Sequence, residues 1–194
     1  MPPRDAAATK ARILAAAVEE FAAYGLAGGR VDRIAAAAPA TKRSIYVYFG
    51  DKEALFRAAL QHVIAQIERV DLDDLPGWAG RVFDHLLEHP EAWRLGMWQV
   101  LEMPDEADEG SAVTTARLEA MADPRQGAVT GGLAIPDVIT LVVGLTRGWF
   151  MTPHSLLAAG GLDPASGERR AIHRAAIVET VRRMQADGAG PPAP

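Results

Sequence analysis

The chain has 194 residues, 49% of them hydrophobic, which is enough for a buried core, and it has no cysteine, which excludes a disulfide framework and a thiolate metal site. The net charge of −5 is unevenly distributed, because residues 1–70 carry ten Lys or Arg and seven Asp or Glu, whereas residues 71–194 carry ten and eighteen. Such an asymmetry favours a polyanionic partner for the first part of the chain.

Apolar residues at helical spacing predict four helices in the first 70 residues. The predicted ranges are 9–24, 31–38, 41–48 and 51–70. Thr9 can cap the first helix and Asp51 the last, because their side-chain oxygens can accept hydrogen bonds from the backbone amides at a helix start. Gly25 is predicted to end the first helix, and Pro39 follows the end of the second.

The rest of the chain is also predicted to be helical. The predicted ranges are 75–88, 91–103, 113–122, 135–154 and 166–186. No segment shows the alternation of polar and β-branched residues that is typical of a strand, so we predict an all-α fold. The expected organisation is a head at 1–50, a connecting helix at 51–70, a body at 71–187 and a disordered tail at 188–194.

The most apolar stretch of the sequence, residues 133–151, is about as long as a membrane is wide. It contains Asp137 and Arg147, so we predict a buried helix rather than a membrane span. The first residues lack an apolar segment followed by a cleavage site, so we predict no signal peptide. We therefore expect a cytoplasmic protein without a membrane partner.

The order of the first four helices is typical of a DNA-binding head. Three short helices followed by a longer one, with a tight turn between the second and third, predict a helix-turn-helix. In the third helix Ile45 and Phe49 lie four residues apart, on the face that would pack on the core. The opposite face has the mixture of donors and apolar groups that contacts to base edges require. Its residues are Lys42, Arg43, Ser44, Tyr46 and Val47.

Lys52 is a second indication of DNA binding. It lies in the first turn of a predicted helix, where the helix dipole disfavours a cation. A DNA phosphate beside it would reverse that preference, because the amides of a helix start also attract anions. The alternative is that Lys52 is solvated or paired with Glu53.

Two stretches, TKARILAAAVEEFAAYGL and IAAAAPATKRSIYVYFGDKEALF, resemble the head of the TetR family of bacterial repressors over about residues 9–60. The matching positions are Ile13, Ala16, Phe21, Gly25, Ile34, Ala35, Ile45, Tyr46, Phe49, Lys52, Glu53 and Leu55. The resemblance implies a homodimeric transcriptional repressor, not an enzyme, with helix 41–48 in the major groove and a body that binds a small-molecule inducer. It implies contacts to bases or the adjacent backbone of double-stranded DNA from Lys42, Arg43, Ser44 and Tyr46, and contacts to phosphates from Tyr48 and Lys52. We expect Thr41 and Val47 of the same helix to contact DNA with them.

The sequence departs from the family pattern at two positions. Pro39 stands where the family usually has a glycine, and because proline does not adopt a positive φ, we expect a different local turn. Gly29 stands where a Thr or Ser usually caps the second helix and contacts a phosphate. We expect Arg30 to replace that contact.

The helix at 135–154 is apolar nearly all round and must be covered on both sides. Gly144 and Gly148 lie four residues apart and would allow a partner helix to approach closely. With a matching stripe on the last helix, this pattern predicts a four-helix dimer interface; the alternative is an ordinary monomer core. The predicted interface residues are Val138, Val142, Gly144, Gly148, Ile177, Val181 and Met184.

All four tryptophans lie after residue 70, outside the predicted head. With neighbouring phenylalanines and methionines they could line a cavity for an apolar or aromatic ligand. For each residue singly, a role in the core is the alternative. The predicted pocket residues are Phe83, Trp93, Met97, Trp98, Met103, Trp149 and Phe150.

Two other functions have some support in the sequence. His85, Glu88 and His89 match the H-x-x-E-H pattern of zinc peptidases, with Glu88 as general base. Pro90 would end the helix directly after the second histidine, and no third ligand is recognisable, so we expect no metal, no cofactor and no enzyme activity. A helical interaction module without DNA binding would leave Lys52 unexplained.

Overall fold

The structure is a computed structural model that describes residues 3–67, 69–103, 130 and 132–187. In this part of the chain the regular elements are all helices, which confirms the predicted all-α fold. They are α1 (Pro3–Gly28), α2 (Val31–Ala37), α3 (Lys42–Phe49), α4 (Lys52–Ile64), α5 (Leu75–Glu88), α6 (Pro90–Glu102), α7 (Ile135–Met151), α8 (His154–Leu157) and α9 (Gly167–Asp187). None of these helices is long and apolar enough to cross a membrane. The predicted helix 113–122 and the tail 188–194 lie outside the described residues.

The chain divides into two compact units. The first consists of Met1–Gln66 and His89–Ala112, and the second of Ile67–Glu88 and Val113–Pro194. Among the described helices, α1 to α4 and α6 belong to the first unit, and α5, α7, α8 and α9 to the second. The division differs from the predicted organisation, which assigned α6 to the body, because α6 packs along α1 and α4.

The core of the first unit forms around α1, whose apolar residues lie at helical spacing. Ile13, Ala17 and Phe21 are completely buried. The ring of Phe21 meets that of Phe56 in α4 edge to face, with centroids 5.2 Å apart. Ile34 of α2 is also completely buried, so the short helices are fixed by apolar contacts.

The core of the second unit lies between α5, α7 and α9. Phe83 of α5 is completely buried beside Trp149 and Phe150 of α7 and His173 of α9, with ring centroids 5.4–6.3 Å apart. An ion pair of 2.7 Å between Arg174 and Asp84 joins α9 to α5 at the surface.

Three predicted helix ends are wrong. The first helix begins at Pro3 rather than at Thr9, which is buried inside it and accepts a hydrogen bond from Arg12 at 3.0 Å. The helix predicted at 51–70 ends at Ile64, where the Gln66 amide closes a tighter turn onto the Val63 carbonyl. The helix predicted at 135–154 ends at Met151, because Thr152 precedes a proline.

The turn between α2 and α3 contains Pro39 with a positive φ of 28°. The expectation that proline would exclude a positive φ at this position is therefore wrong. The Ala40 amide donates to the Ala35 carbonyl at 3.0 Å, as in a Schellman motif. That motif has a second hydrogen bond, from the residue at the Pro39 position, which proline cannot donate. Pro39 thus adopts a left-handed conformation that is typical of glycine and in which proline is strained.

Pro39→Gly should raise the free energy of unfolding by about 1–2 kcal/mol, because glycine adopts the positive φ without strain and restores the missing amide donor. Urea unfolding at a fixed protomer concentration measures the change as a higher midpoint with an unchanged slope. Pro90→Gly, at the first position of α6 where proline is favourable, is the matched control and should lower the midpoint. A lower midpoint for Pro39→Gly would show that the turn is not strained.

Candidate nucleic-acid interface

Thr41 and Ser44 build the start of α3. The Ser44 amide donates to the Thr41 hydroxyl oxygen and the Thr41 amide to the Ser44 hydroxyl oxygen, each at 3.1 Å, which makes a reciprocal capping box. The Ser44 hydroxyl also donates to the Thr41 carbonyl at 2.7 Å. Both side chains, which we expected to contact DNA, are therefore used within the protein to begin the helix.

The outward face of α3 is the one that its sequence pattern predicts. Ile45 is 1% exposed and anchors the helix, whereas Val47 is 73% and Tyr46 46% exposed. Arg43 is exposed as well, and its side chain has no hydrogen bond or ion pair within the described ranges. Tyr48 is half-buried. A cation, a phenol and an isopropyl group thus protrude from one short helix.

Lys42 at the start of α3 is engaged in an ion pair. Its ammonium group lies 2.6 Å from an Asp32 carboxylate oxygen of α2, and both side chains are more than half exposed. Exposed pairs of this kind contribute at most about 1 kcal/mol, since water and salt screen them. A DNA phosphate could therefore displace Asp32 at little cost.

Lys52 contacts the end of α1. Its ammonium group donates to the Ala27 carbonyl oxygen at 3.3 Å. Glu53, the alternative partner, pairs with Arg57 at 3.4 Å. Asp51 caps α4 as predicted, accepting from the Ala54 amide at 2.7 Å. The Ala27 carbonyl orients the Lys52 side chain. Because an ammonium group has three N–H donors, two of them remain for a phosphate.

Glu20 of α1 holds the start of α2, a role that we did not predict. Its carboxylate accepts from the Arg30 amide and from the Arg33 guanidinium, each at 2.8 Å. The N-cap of α2 is Arg30 rather than Gly29. There is no space for a side chain at Gly29, because a Cβ there would lie 2.6 Å from the Phe21 ring. The sequence signal for this role is that Glu20 lies on the apolar face of α1, beside Phe21.

The pKa of Glu20 is below its ordinary value of 4.5. Burial alone would raise it, but the hydrogen bonds from the Arg33 guanidinium and the Arg30 amide, with the charges of both arginines, outweigh burial. A carboxylate at the amino end of a helix is also favoured by the helix dipole. Glu20 is therefore ionised near neutral pH although it is 8% exposed.

Glu20→Gln should lower the free energy of unfolding by about 1–3 kcal/mol at pH 7. Because the pKa is lower in the folded than in the unfolded protein, the stabilisation by the carboxylate is present above about pH 4.5 and is lost as the pH falls through the folded pKa. Urea unfolding from pH 7 to pH 3 should show the difference from the unmodified protein shrinking at acid pH. Glu19→Gln, one residue earlier and exposed, is the control. A difference that is independent of pH would contradict this role.

The predicted pocket residues are divided between the two units. Phe83, Trp149 and Phe150 form the ring cluster of the second unit. The other four lie on α6 or directly after it, in the first unit; they are Trp93, Met97, Trp98 and Met103. The indole N–H of Trp98 donates to the Ala22 carbonyl of α1 at 3.3 Å. Trp98 therefore packs on α1 of the predicted head, contrary to the expectation that all tryptophans lie away from it.

Four of the predicted interface residues face the core of their own unit. Val138, Val142, Ile177 and Val181 are at most 3% exposed, so a partner chain cannot reach them. Met184 is half-buried. Gly144 is exposed and Gly148 half-buried, and a Cβ at either position would have no neighbour within 4 Å. The all-round apolar pattern of α7 concealed which face is the inner one.

The zinc hypothesis gains no support from the structure. The helix α5 ends at Glu88, so His89 lies beyond it rather than on one helical face with His85. His89 contacts Glu91 instead, at 3.2 Å. Among the residues that the structure describes, no group of three or more His, Cys, Asp or Glu could hold a metal ion.

Two family profiles match the chain. The one described as "Bacterial regulatory proteins, tetR family" matches residues 13–59, which include α2 and α3. The one described as "Tetracyclin repressor-like, C-terminal domain" matches residues 74–183. The first match begins within α1 and ends within α4, and the second begins just before α5 and ends within α9.

Similar proteins include known bacterial regulators. The chain is 37% identical over 186 residues to the HTH-type transcriptional repressor SCO4008 of Streptomyces coelicolor, with 91% of this chain and 97% of that protein covered. It is 39% identical over 94 residues to the HTH-type transcriptional repressor NicS of Pseudomonas putida, with 43% and 44% covered. The crystal structure of SCO4942 from Streptomyces coelicolor superposes with a TM-score of 0.73 at 33% identity, with 91% and 97% covered.

Proposed function

Because the chain belongs to the TetR family and is a DNA-binding transcriptional regulator, we propose that it is a cytoplasmic repressor that leaves its operator when a small ligand binds. The observation that carries the DNA-binding half of this proposal is the exposed face of α3. It is short, firmly anchored by Ile45, and presents Arg43, Tyr46 and Val47 outward. A helix of this kind fits a major groove of double-stranded DNA.

The exposed side chains divide into two roles. Arg43 has the two-pronged donor geometry that suits the O6 and N7 atoms of guanine, while Val47 suits a thymine methyl group. Lys42, Arg30 and Lys52 are cations at the edges of the helix-turn-helix and are assigned to phosphates, with Tyr48. Base contacts set sequence preference, and phosphate contacts set affinity and its dependence on salt.

Lys52→Ala should weaken binding about equally on all DNA sequences and reduce the salt dependence by roughly one charge. Arg43→Ala should instead relax the preference at one base pair, at a cost of about 1–3 kcal/mol there. Competition binding to a library of randomised duplexes, at several salt concentrations, measures both changes. Two variants that behave alike would contradict the division of roles.

We propose that two chains meet through the outer face of α7. Leu141 is 48% and Met151 62% exposed, and the open positions of Gly144 and Gly148 lie between them at helical spacing. Four small or apolar residues on one exposed face allow a second copy of the helix to pack closely. A dimer would place two α3 helices about 34–36 Å apart, one turn of DNA.

Gly144→Leu should produce a monomer that binds half an operator weakly, because the added side chain has space within the protomer but not against a partner helix. Sedimentation at micromolar concentration measures the assembly, and circular dichroism verifies the fold. Gly160→Leu adds the same side chain at another open position, between α8 and α9, and should leave the dimer intact. A Gly144→Leu protein that remains dimeric would exclude this face.

For the ligand we propose the ring cluster of the second unit, in which one buried nitrogen is without a partner. Nε2 of His173 is buried and has no hydrogen-bond partner within the described residues. Burial and the nearby charge of Arg169 lower the pKa of His173 below its ordinary 6.5, so the imidazole is neutral at pH 7. An aromatic ligand with one polar group would match Trp149, Phe83 and this nitrogen.

A further inference from the structure

The long helix α1 is broken at Gly25, and α6 supplies partners to the groups on both sides of the break. Gly25 has φ 69° and ψ −174°, far from helical values. In an unbroken helix the Leu26 amide would donate to the Ala22 carbonyl. Here the Leu26 amide donates to the Glu102 carboxylate, and the Ala22 carbonyl accepts the indole N–H of Trp98 at 3.3 Å. Two side chains of α6 thus replace the two halves of one helical hydrogen bond.

The same two side chains leave no space at the break. A Cβ at Gly25 would lie 2.8 Å from Cε3 of Trp98 and 2.9 Å from Oε1 of Glu102. Trp98 and Glu102 are four residues apart, so they share one face of α6, and Glu102 is the last residue of that helix. The hydrogen bonds of Trp98 and Glu102 to α1 therefore require that the final turn of α6 is formed.

The break leads directly to Lys52. The Glu102 carboxylate also accepts from the Ala27 amide, at 3.2 Å and 3.3 Å, and the Ala27 carbonyl accepts from the Lys52 ammonium group. Ala27 is thus held by Glu102 at its amide and by Lys52 at its carbonyl. An ammonium group on a flexible four-carbon chain gains a defined direction from such a fixed acceptor.

We propose that Trp98 and Glu102 are positioning residues for operator binding: they hold the break in α1 and, through Ala27, orient Lys52 toward a DNA phosphate. The proposal rests on the phosphate contact of Lys52 in the proposed function. If Trp98 and Glu102 have this role, a structural change at the end of α6 alters the affinity for DNA although α6 itself does not contact DNA.

The test is a double-mutant cycle on operator affinity and its salt dependence, with a duplex selected from the randomised library. Glu102→Gln keeps the size of the side chain but weakens its acceptor charge, and should weaken binding roughly tenfold and reduce the salt dependence by about one charge. In the Lys52→Ala background it should change affinity less than about twofold, because no ammonium group remains to be oriented.

Trp98→Phe retains an aromatic ring but removes the N–H donor, and it should show the same pattern. This variant provides the test if Glu102→Gln folds poorly. Glu91→Gln, the same charge change at the other end of α6, is the control and should leave affinity within about twofold. Urea unfolding monitors stability in every variant.

The outcomes separate this proposal from the proposed function. Wild-type affinity for both α6 variants, or effects that add fully to that of Lys52→Ala, would overturn the positioning role while the Lys52 contact stands. Lys52→Ala with unchanged affinity and salt dependence would overturn the phosphate contact itself, and the positioning role with it.

Discussion

The break in α1 at Gly25 is the constraint on which the first unit depends. A left-handed φ is easy only for glycine, and the Trp98 ring occupies the space of any side chain there. After the break the chain turns so closely that Gly29 lies against Phe21, and Glu20 on the same helix then holds the start of α2. The start of α2 is therefore held by α1, and the break in α1 is held by α6.

The local parts of this arrangement could be predicted from the sequence. A helix of eight residues with Ile45 and Phe49 on one face has only one way to pack, so the outward position of Arg43 and Val47 follows from spacing alone. The helix break at Gly25 and the helix cap at Asp51 could also be predicted, because a glycine after an apolar helix and an aspartate before one have few other roles.

The distant parts could not be predicted, for physical reasons. Glu102 meets α1 across about 75 residues of sequence, and no local pattern encodes such a pairing. The helix α7 is apolar on several faces, so its composition could not show that Val138 and Val142 face inward. Pro39 was judged by its intrinsic φ preference, but the packing of α2 and α3 holds it at 28°. In each case tertiary contacts outweigh local preference.

Amide hydrogen exchange of the unmodified protein, resolved by residue, tests most directly whether α6 holds the break. The amides of Leu26 and Ala27 follow a non-helical residue, and the Glu102 carboxylate is their acceptor. We expect both amides to exchange slowly, at rates similar to those of the amides within α2. Exchange as fast as in an unfolded peptide, while the Phe21 amide in the same helix stays protected, would show that α6 does not hold this segment.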